Sequence, residues 1–270
     1  MTDTRDLARR VRLDVLHMVH RANASHVGSC FSIADILAVL YGSVLRVRPE
    51  DPGWADRDRF ILSKGHAAAA VYAVLAETGF FSRDELDCYG KNGSLLMTHV
   101  SHRICGVEFS TGSLGHGLPF AVGKALAARR AGAAWRSFVL LSDGEMDAGS
   151  NWEALMFAAH HRLDNLVAVI DYNKLQSLTS IAETLTLEPL ADKLRAFGWN
   201  VREVDGHEHS DIVDAFRAVP WSPGQPSVVL AHTVKGKGVS FMEGRVEWHY
   251  RSPSPTQLTQ AIAEVQAGRA

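Results

Sequence analysis

Cysteine is scarce, neither charge dominates, and no long apolar run occurs. Of 270 residues three are cysteine, Cys30, Cys88 and Cys105. They are odd in number, far apart and without CxxC spacing, so neither a disulfide framework nor a zinc site is suggested. Lys and Arg number 28 against 30 Asp and Glu, for a net charge of −2. With no basic stretch either, that balance argues against a nucleic-acid partner, which would call for a Lys/Arg-rich face. No apolar run approaches the length that crosses a bilayer, and the opening "MTDTRDLARRVRLDVLHMVHRA" lacks the apolar core and small-residue cleavage site of a signal peptide. A cytoplasmic chain with no membrane partner is therefore expected. What is plentiful is apolar side chain, 46% of the residues, ample for a sizeable core at this length.

The first hundred residues read as mainly helical. Ala8, Val11, Val15, Met18, Val19 and Ala22 recur at three- and four-residue intervals and mark an amphipathic first helix. "FSIADILAVLYGSVL" predicts a second, with Ser32 as N-cap and Asp35 reaching back to it. "HAAAAVYAVLAETG" predicts a third that stops at Gly79, and Ser82 with Glu85 offers a capping box for another. From residue 112 the texture changes to a Gly-rich loop, "TGSLGHG", followed by the helix-like "LPFAVGKALAARRAG". Strand-like runs follow: "SFVLL" at 137–141, "LVAVID" at 166–171 and "SVVLAHT" at 227–233. Between the first two, Trp152, Leu155, Met156, Ala159 and Leu163 keep helical spacing behind a capping box from Ser150 to Glu153. Strand, helix, strand in about 35 residues is a βαβ unit. An α/β fold follows, with a mainly parallel central sheet flanked by helices, as a single domain over 1–270 with a helical N-terminal region and an extended C-terminal segment. The final "AEVQAGRA" is expected to fray.

A βαβ crossover makes its strands parallel, so Asp143 and Asn173, each just beyond a strand-like run, emerge on the same edge of the sheet. Open α/β sheets bind ligands at that edge. A carboxylate with an amide oxygen suits Mg²⁺ or Ca²⁺, and Mg²⁺ commonly completes its six oxygens from a phosphate, so a diphosphate is implied. Gly144, lacking a Cβ, allows the backbone close to such a ligand. Asp, Gly and Asn are also common turn residues, and spacing alone favours a plain turn and a strand end. The Gly-rich loop matches neither the dinucleotide fingerprint nor a Walker loop, because Lys124 lies inside the following helix. The pair His207-x-His209 has metal-like spacing but no third ligand nearby.

"SDGEMDAGSNWEALMFAAHHRLDNLVAVIDYNKLQ" resembles the thiamine diphosphate signature, and "SHVGSCFSIADIL", "RDRFILSKGHAAAAVYAVLAETG", "GVEFSTGSLGHGLPFAVGKAL", "VDGHEHSDI" and "VKGKGVSFMEGRVEWHY" resemble successive segments of the transketolase family in the family's order. The resemblance covers roughly residues 5 to 255. It implies a thiamine diphosphate-binding fold, and the N-terminal subunit of a split transketolase that moves a two-carbon ketol unit from a ketose phosphate to an aldose phosphate. By the same resemblance Asp143, Asn173 and the carbonyl of Leu175 bind a divalent cation, Mg²⁺ or else Ca²⁺ or Mn²⁺. Gly144 contacts the diphosphate, and Gly112 and Leu114 border the thiamine. His26 and His99 are assigned to the substrate, and His66 and His249 to diphosphate and substrate together. The implied partner is a separate C-terminal, pyrimidine-domain subunit in an α2β2 assembly. Ser142 replaces a usual glycine. Ala148 replaces a glutamate that links active sites in many members, with Asp147 adjacent but pointing elsewhere. Rival assignments are the α component of a 2-oxo acid dehydrogenase, a deoxyxylulose phosphate synthase relative, or a non-catalytic homologue; "STGSLGHG" and "EWHY" favour transketolase.

Overall fold

The computed structural model describes residues 3–268. The predicted strands form the middle of a five-stranded sheet, β1 (Arg59–Leu62), β2 (Ser137–Ser142), β3 (Leu166–Tyr172), β4 (Asn200–Asp205) and β5 (Ser227–His232). Its order is β1-β2-β3-β5-β4 and every pairing is parallel. Helices α1 (Thr4–Ala22), α2 (Val27–Phe31), α3 (Ala34–Val39) and α4 (Ala68–Glu77) precede the Gly-rich loop. They are followed by α5 (Gly117–Arg130), α6 (Gly149–His160), α7 (Ile181–Thr184), α8 (Leu190–Ala196), α9 (His209–Arg217) and α10 (Pro255–Gln266).

Period-two alternation divides the core between the faces of the sheet. Phe138 and Leu140 of β2, with Val167 and Val169 of β3, pack against α1 to α4 and α9. Val139 and Leu141, with Ala168 and Ile170, pack against α5, α6 and α8. Both faces of the central strands are covered, which is why those strands read as unbroken apolar runs. The sheet's two outer strands gave no such signal. β1 has only four residues, and in "NVREVD" of β4 no position is fully buried and the three charged residues are exposed.

Several local expectations change. Ser32 does not cap a helix: it ends α2, and its hydroxyl donates to Asp171 Oδ2 at 2.7 Å and to the Ser29 carbonyl. Asp35, the expected capping partner, instead pairs with Arg12 of α1. Ser150 lies inside α6, whose N-cap is Ala148, and donates to the Gly115 carbonyl at 2.6 Å. Ser82 does cap, but over a 3-10 turn, Arg83–Cys88, by accepting from the Asp84 amide. The C-terminal segment is not extended throughout, because Ser254 and Gln257 form a capping box with Pro255 at the first turn and start α10. Residues 263–266 of the segment expected to fray lie in that helix; its last two residues fall outside the described range.

Candidate active site

Parallel strands bring all their C-terminal ends to one edge. Lys64 and His66 follow β1, Asp143 and Gly144 follow β2, Asn173 and Leu175 follow β3, and Lys235 follows β5. With His26, His99, Gly112, Leu114 and His249 they line one cleft of about 290 Å³. Every residue predicted for the site is therefore on its wall. His207 and His209 are not; both bind Asp35 instead.

The four histidines form a cluster. The His26 ring lies 5.1 Å from His66, 6.0 Å from His99 and 5.0 Å from His249, and His66 lies 5.5 Å from His249. His26 has φ 77°, a left-handed conformation that non-glycine residues avoid. Its amide donates to the His249 carbonyl at 2.8 Å, which ties the strained residue to the C-terminal segment. Such strain collects at functional sites. Burial, followed by the neighbouring His99 and Lys235 charges, pushes His26 down to about 4. Burial and then Lys235 push His249 down to about 3. Burial and then Lys64 hold His66 well below the ordinary histidine range. These three imidazoles are neutral at pH 7, so each has one accepting and one donating ring nitrogen.

Asp143 and Asn173 are close neighbours, as the crossover geometry requires. Asp143 Oδ1 accepts from the Gly144 amide at 2.7 Å, and Oδ2 accepts from Lys174 N at 2.5 Å; Lys174 too is left-handed, with φ 65°. Asn173 Oδ1 accepts from Leu175 N at 3.1 Å, while its amide donates to Asp171 Oδ2, which fixes the direction of the oxygen. Asp143 has no ion-pair partner among the described residues. Burial, and then the Asp171 carboxylate, push it up to about 7. Ser142 ends β2 without a positive φ, so serine is accommodated there. A Cβ on Gly144 would come within 3.0 Å of the Gln176 side chain, which crosses over it. Asp147 accepts from Gln176 Nε2 at 2.8 Å.

Four residues that sequence reasoning missed complete the site. Lys64 is buried and donates to Asp171 Oδ2 at 2.5 Å and to the Ser29 carbonyl at 3.0 Å. Asp171 also accepts from Ser32 and Thr233, and burial is outweighed by Lys64 to keep its carboxyl low. Lys235 is buried too, but among the described residues its ammonium meets only the carbonyls of Leu175 at 3.3 Å and Gln176 at 2.9 Å, and His249 Nδ1 at 3.0 Å. Burial, and then Lys64, push it down to about 8. Glu145 accepts from Ser63 Oγ and from Gly115 N at 2.9 Å, clamping the Gly-rich loop against the "SDGE" turn. Two of these had a legible signal: Asp171 is a charge near the end of an apolar strand, and Lys235 stands three positions past one. Lys64 follows β1, a strand too short to be noticed.

The cleft thus holds a buried carboxylate without a cation and a buried ammonium without an anion. That donor set fits a divalent cation bridged to a phosphate group. Comparison with known proteins agrees: residues 3–260 match the family described as transketolase, thiamine diphosphate binding domain. The chain is 42% identical over 254 residues to an apulose-4-phosphate transketolase subunit of Phocaeicola vulgatus, covering 94% of this chain and 90% of that one. It is 41% identical over 265 residues to 6-deoxy-6-sulfo-D-fructose transketolase subunit SqwG of Clostridium sp., covering 98% and 96%. The fold superposes on transketolase from Leishmania mexicana with a TM-score of 0.91 at 29% identity, covering 98% of this chain. The chain spans only 42% of that solved protein's length. This chain belongs to the transketolase family and constitutes its thiamine diphosphate-binding domain.

Proposed function

We propose that the chain is the N-terminal subunit of a split transketolase, transferring a two-carbon ketol unit from a ketose phosphate to an aldose phosphate. The observation that carries this is the pairing, in one cleft, of unpaired Asp143 and unpaired Lys235 with a cluster of four histidines. Asp143, Asn173 Oδ1 and the Leu175 carbonyl hold Mg²⁺, or Ca²⁺ or Mn²⁺ in its place. Among the described residues no three His, Cys, Asp or Glu side chains converge on a metal site, so the remaining ligands come from the diphosphate and water. Lys235, His66 and His249 face the diphosphate, with the Gly144 backbone beside it, and Gly112 and Leu114 border the thiamine. When bound, thiamine diphosphate supplies the electron sink for breaking the donor's carbon–carbon bond. His99, the exposed ring of the cluster, and His26 beside it hold and move protons at the sugar carbonyl and hydroxyls.

Catalysis on this reading needs a second, pyrimidine-domain subunit, in an α2β2 assembly. Relatives of this length are named as subunits, whereas the chain covers under half of a whole transketolase. An apolar groove between α5 and α6, lined by Pro119, Val122, Leu126, Ala154 and Phe157, stays open to solvent, with Phe157 and Met156 exposed beside it. We assign that groove to the partner subunit, since surface of this kind on a lone chain is uncommon. The test is ketol transfer measured with thiamine diphosphate, Mg²⁺ and a panel of ketose and aldose phosphates, for the chain alone and with the partner. Activity is expected only in the mixture. Robust transfer by the chain alone, or none in a verified complex, overturns the proposal.

A further inference from the structure

Behind the cleft lies a buried network that the site does not use directly. Asp35 of α3 accepts from Arg12 of α1 through both oxygens, at 3.0 and 2.6 Å. The same carboxylate binds His207 Nδ1 at 2.7 Å and His209 Nε2 at 3.1 Å. His207 sits just past β4, a strand that sends no residue into the cleft. Its other nitrogen, Nε2, accepts from the Val234 amide at 2.8 Å. An amide can only donate, so Nε2 carries a lone pair, and His207 is the neutral tautomer with its proton on Nδ1, directed at Asp35. Arg12 Nε meanwhile donates to the Lys237 carbonyl at 3.1 Å.

Residues 234 and 237 flank Lys235, so the network grips the segment that carries Lys235 on both sides. Residue 234 has an exposed side chain, at 38%, and its amide is held by His207. Further along, Gly236 N donates to the Gly28 carbonyl at 3.1 Å and Gly244 N to the Lys235 carbonyl at 2.9 Å, and the Lys235 stem passes so close to α2 that a Cβ on Gly28 would meet its Cγ at 3.1 Å. A segment shifted by an ångström would withdraw the ammonium from the Leu175 and Gln176 carbonyls and from His249.

We infer that His207, oriented by Asp35 and Arg12, is a positioning residue that holds Lys235 against the diphosphate side of the cleft. The inference rests on the site assignment proposed above. It is tested by titrating thiamine diphosphate with Mg²⁺ into the full chain assembled with its partner, comparing wild type, His207→Asn, His207→Gln, Lys235→Met and the double variant H207N/K235M. Asn keeps a donor for Asp35 but cannot reach Val234; Gln places its amide oxygen near the position of Nε2 and retains that acceptor. H207N is expected to weaken binding about two- to tenfold, the size of one lost hydrogen bond, and H207Q to recover most of it. In the K235M background H207N should have no further effect, since residues acting through one another are non-additive. Unchanged affinity in K235M overturns the assignment of Lys235 and the inference with it. A K235M defect with additive or absent H207N effects, or an H207Q defect as large as that of H207N, overturns the positioning role alone.

Discussion

Asp35 and Asp143 are buried alike, at 4% and 1% exposure, and yet their surroundings are opposite. At Asp35 burial is outweighed by the Arg12 guanidinium and then the two imidazoles, which hold the carboxyl well below its usual range. At Asp143 burial is reinforced by the Asp171 carboxylate and only partly opposed by two backbone amides and the more weakly acting Lys64 charge, and the group rises to about 7. Desolvation costs the charged form in both places. The network behind the cleft has its charges matched within itself, Asp35 by Arg12 and the imidazoles, and reaches the cleft only through the backbone it holds. The cleft is left open on both signs, Asp143 for a cation and Lys235 for an anion, and the missing charges are those of a metal diphosphate. Burial alone therefore does not distinguish a structural carboxylate from a binding one; the completeness of its partners does.

Exchanging each aspartate for alanine breaks that comparison most directly. Asp143→Ala should leave no measurable Mg²⁺-dependent thiamine diphosphate binding, a loss of at least about 100-fold, while urea denaturation of the unliganded protein shows unchanged or raised stability. Asp35→Ala should do the reverse to the fold, costing about 3–5 kcal/mol because Arg12 is left buried without a counter-charge. Calorimetric affinity and denaturation midpoints, measured on both variants, decide the matter. A stability loss in D143A comparable to that in D35A would show that the two sites do not differ in kind.

The same contrast separates the histidines of the cleft. His99→Ala or His26→Ala should lower kcat/KM by about 10²- to 10⁴-fold in the assembled enzyme, with thiamine diphosphate affinity little changed, on the proposed assignment of these rings to the substrate. Wild-type kcat/KM in both variants would remove them from the chemistry. An H249A variant should differ in kind, losing cofactor affinity as well, because His249 holds the Lys235 ammonium.

Much of the site was legible because it depends on chain order. An apolar run ending at residue 141 and another at residue 171, joined by a helix, determine that Asp143 and Asn173 share an edge, and no side-chain detail is needed. What escaped notice was carried by residues with two plausible occupations. Ser32, Asp35 and Ser150 all stand where a helix cap would, and local spacing favours that role. In the folded chain their oxygens are taken by partners far along the sequence: Asp171 for Ser32, Arg12 for Asp35, Gly115 for Ser150. Local periodicity cannot register contacts 139, 23 or 35 positions away. Lys64 was missed for the complementary reason, since β1 is a short outer strand whose four residues carry no period.

The smallest expected effect is on the pH dependence of stability, and it sharpens the comparison by isolating one buried base. His26 titrates near 4 in the folded protein against an ordinary value of 6.5. Between those values the unfolded chain binds a proton there that the folded chain does not. The difference in bound protons is positive for the unfolded state, so this residue makes stability rise with pH across the window and fall as pH drops from about 6.5 to 4. His249 contributes with the same sign, whereas Asp143, raised from 3.8 to about 7, contributes with the opposite one. The net slope is therefore uninformative, and the useful quantity is the change on replacing His26 alone. His26→Asn removes the titration, and asparagine tolerates the left-handed backbone, so any residual strain shifts stability equally at every pH. Denaturation midpoints taken from about pH 4 to 7 on unliganded protein should give the variant a shallower rise, by up to about one proton's worth of slope. Parallel curves for wild type and variant would mean that His26 is as readily protonated in the fold as in water, and that the cleft does not hold it neutral.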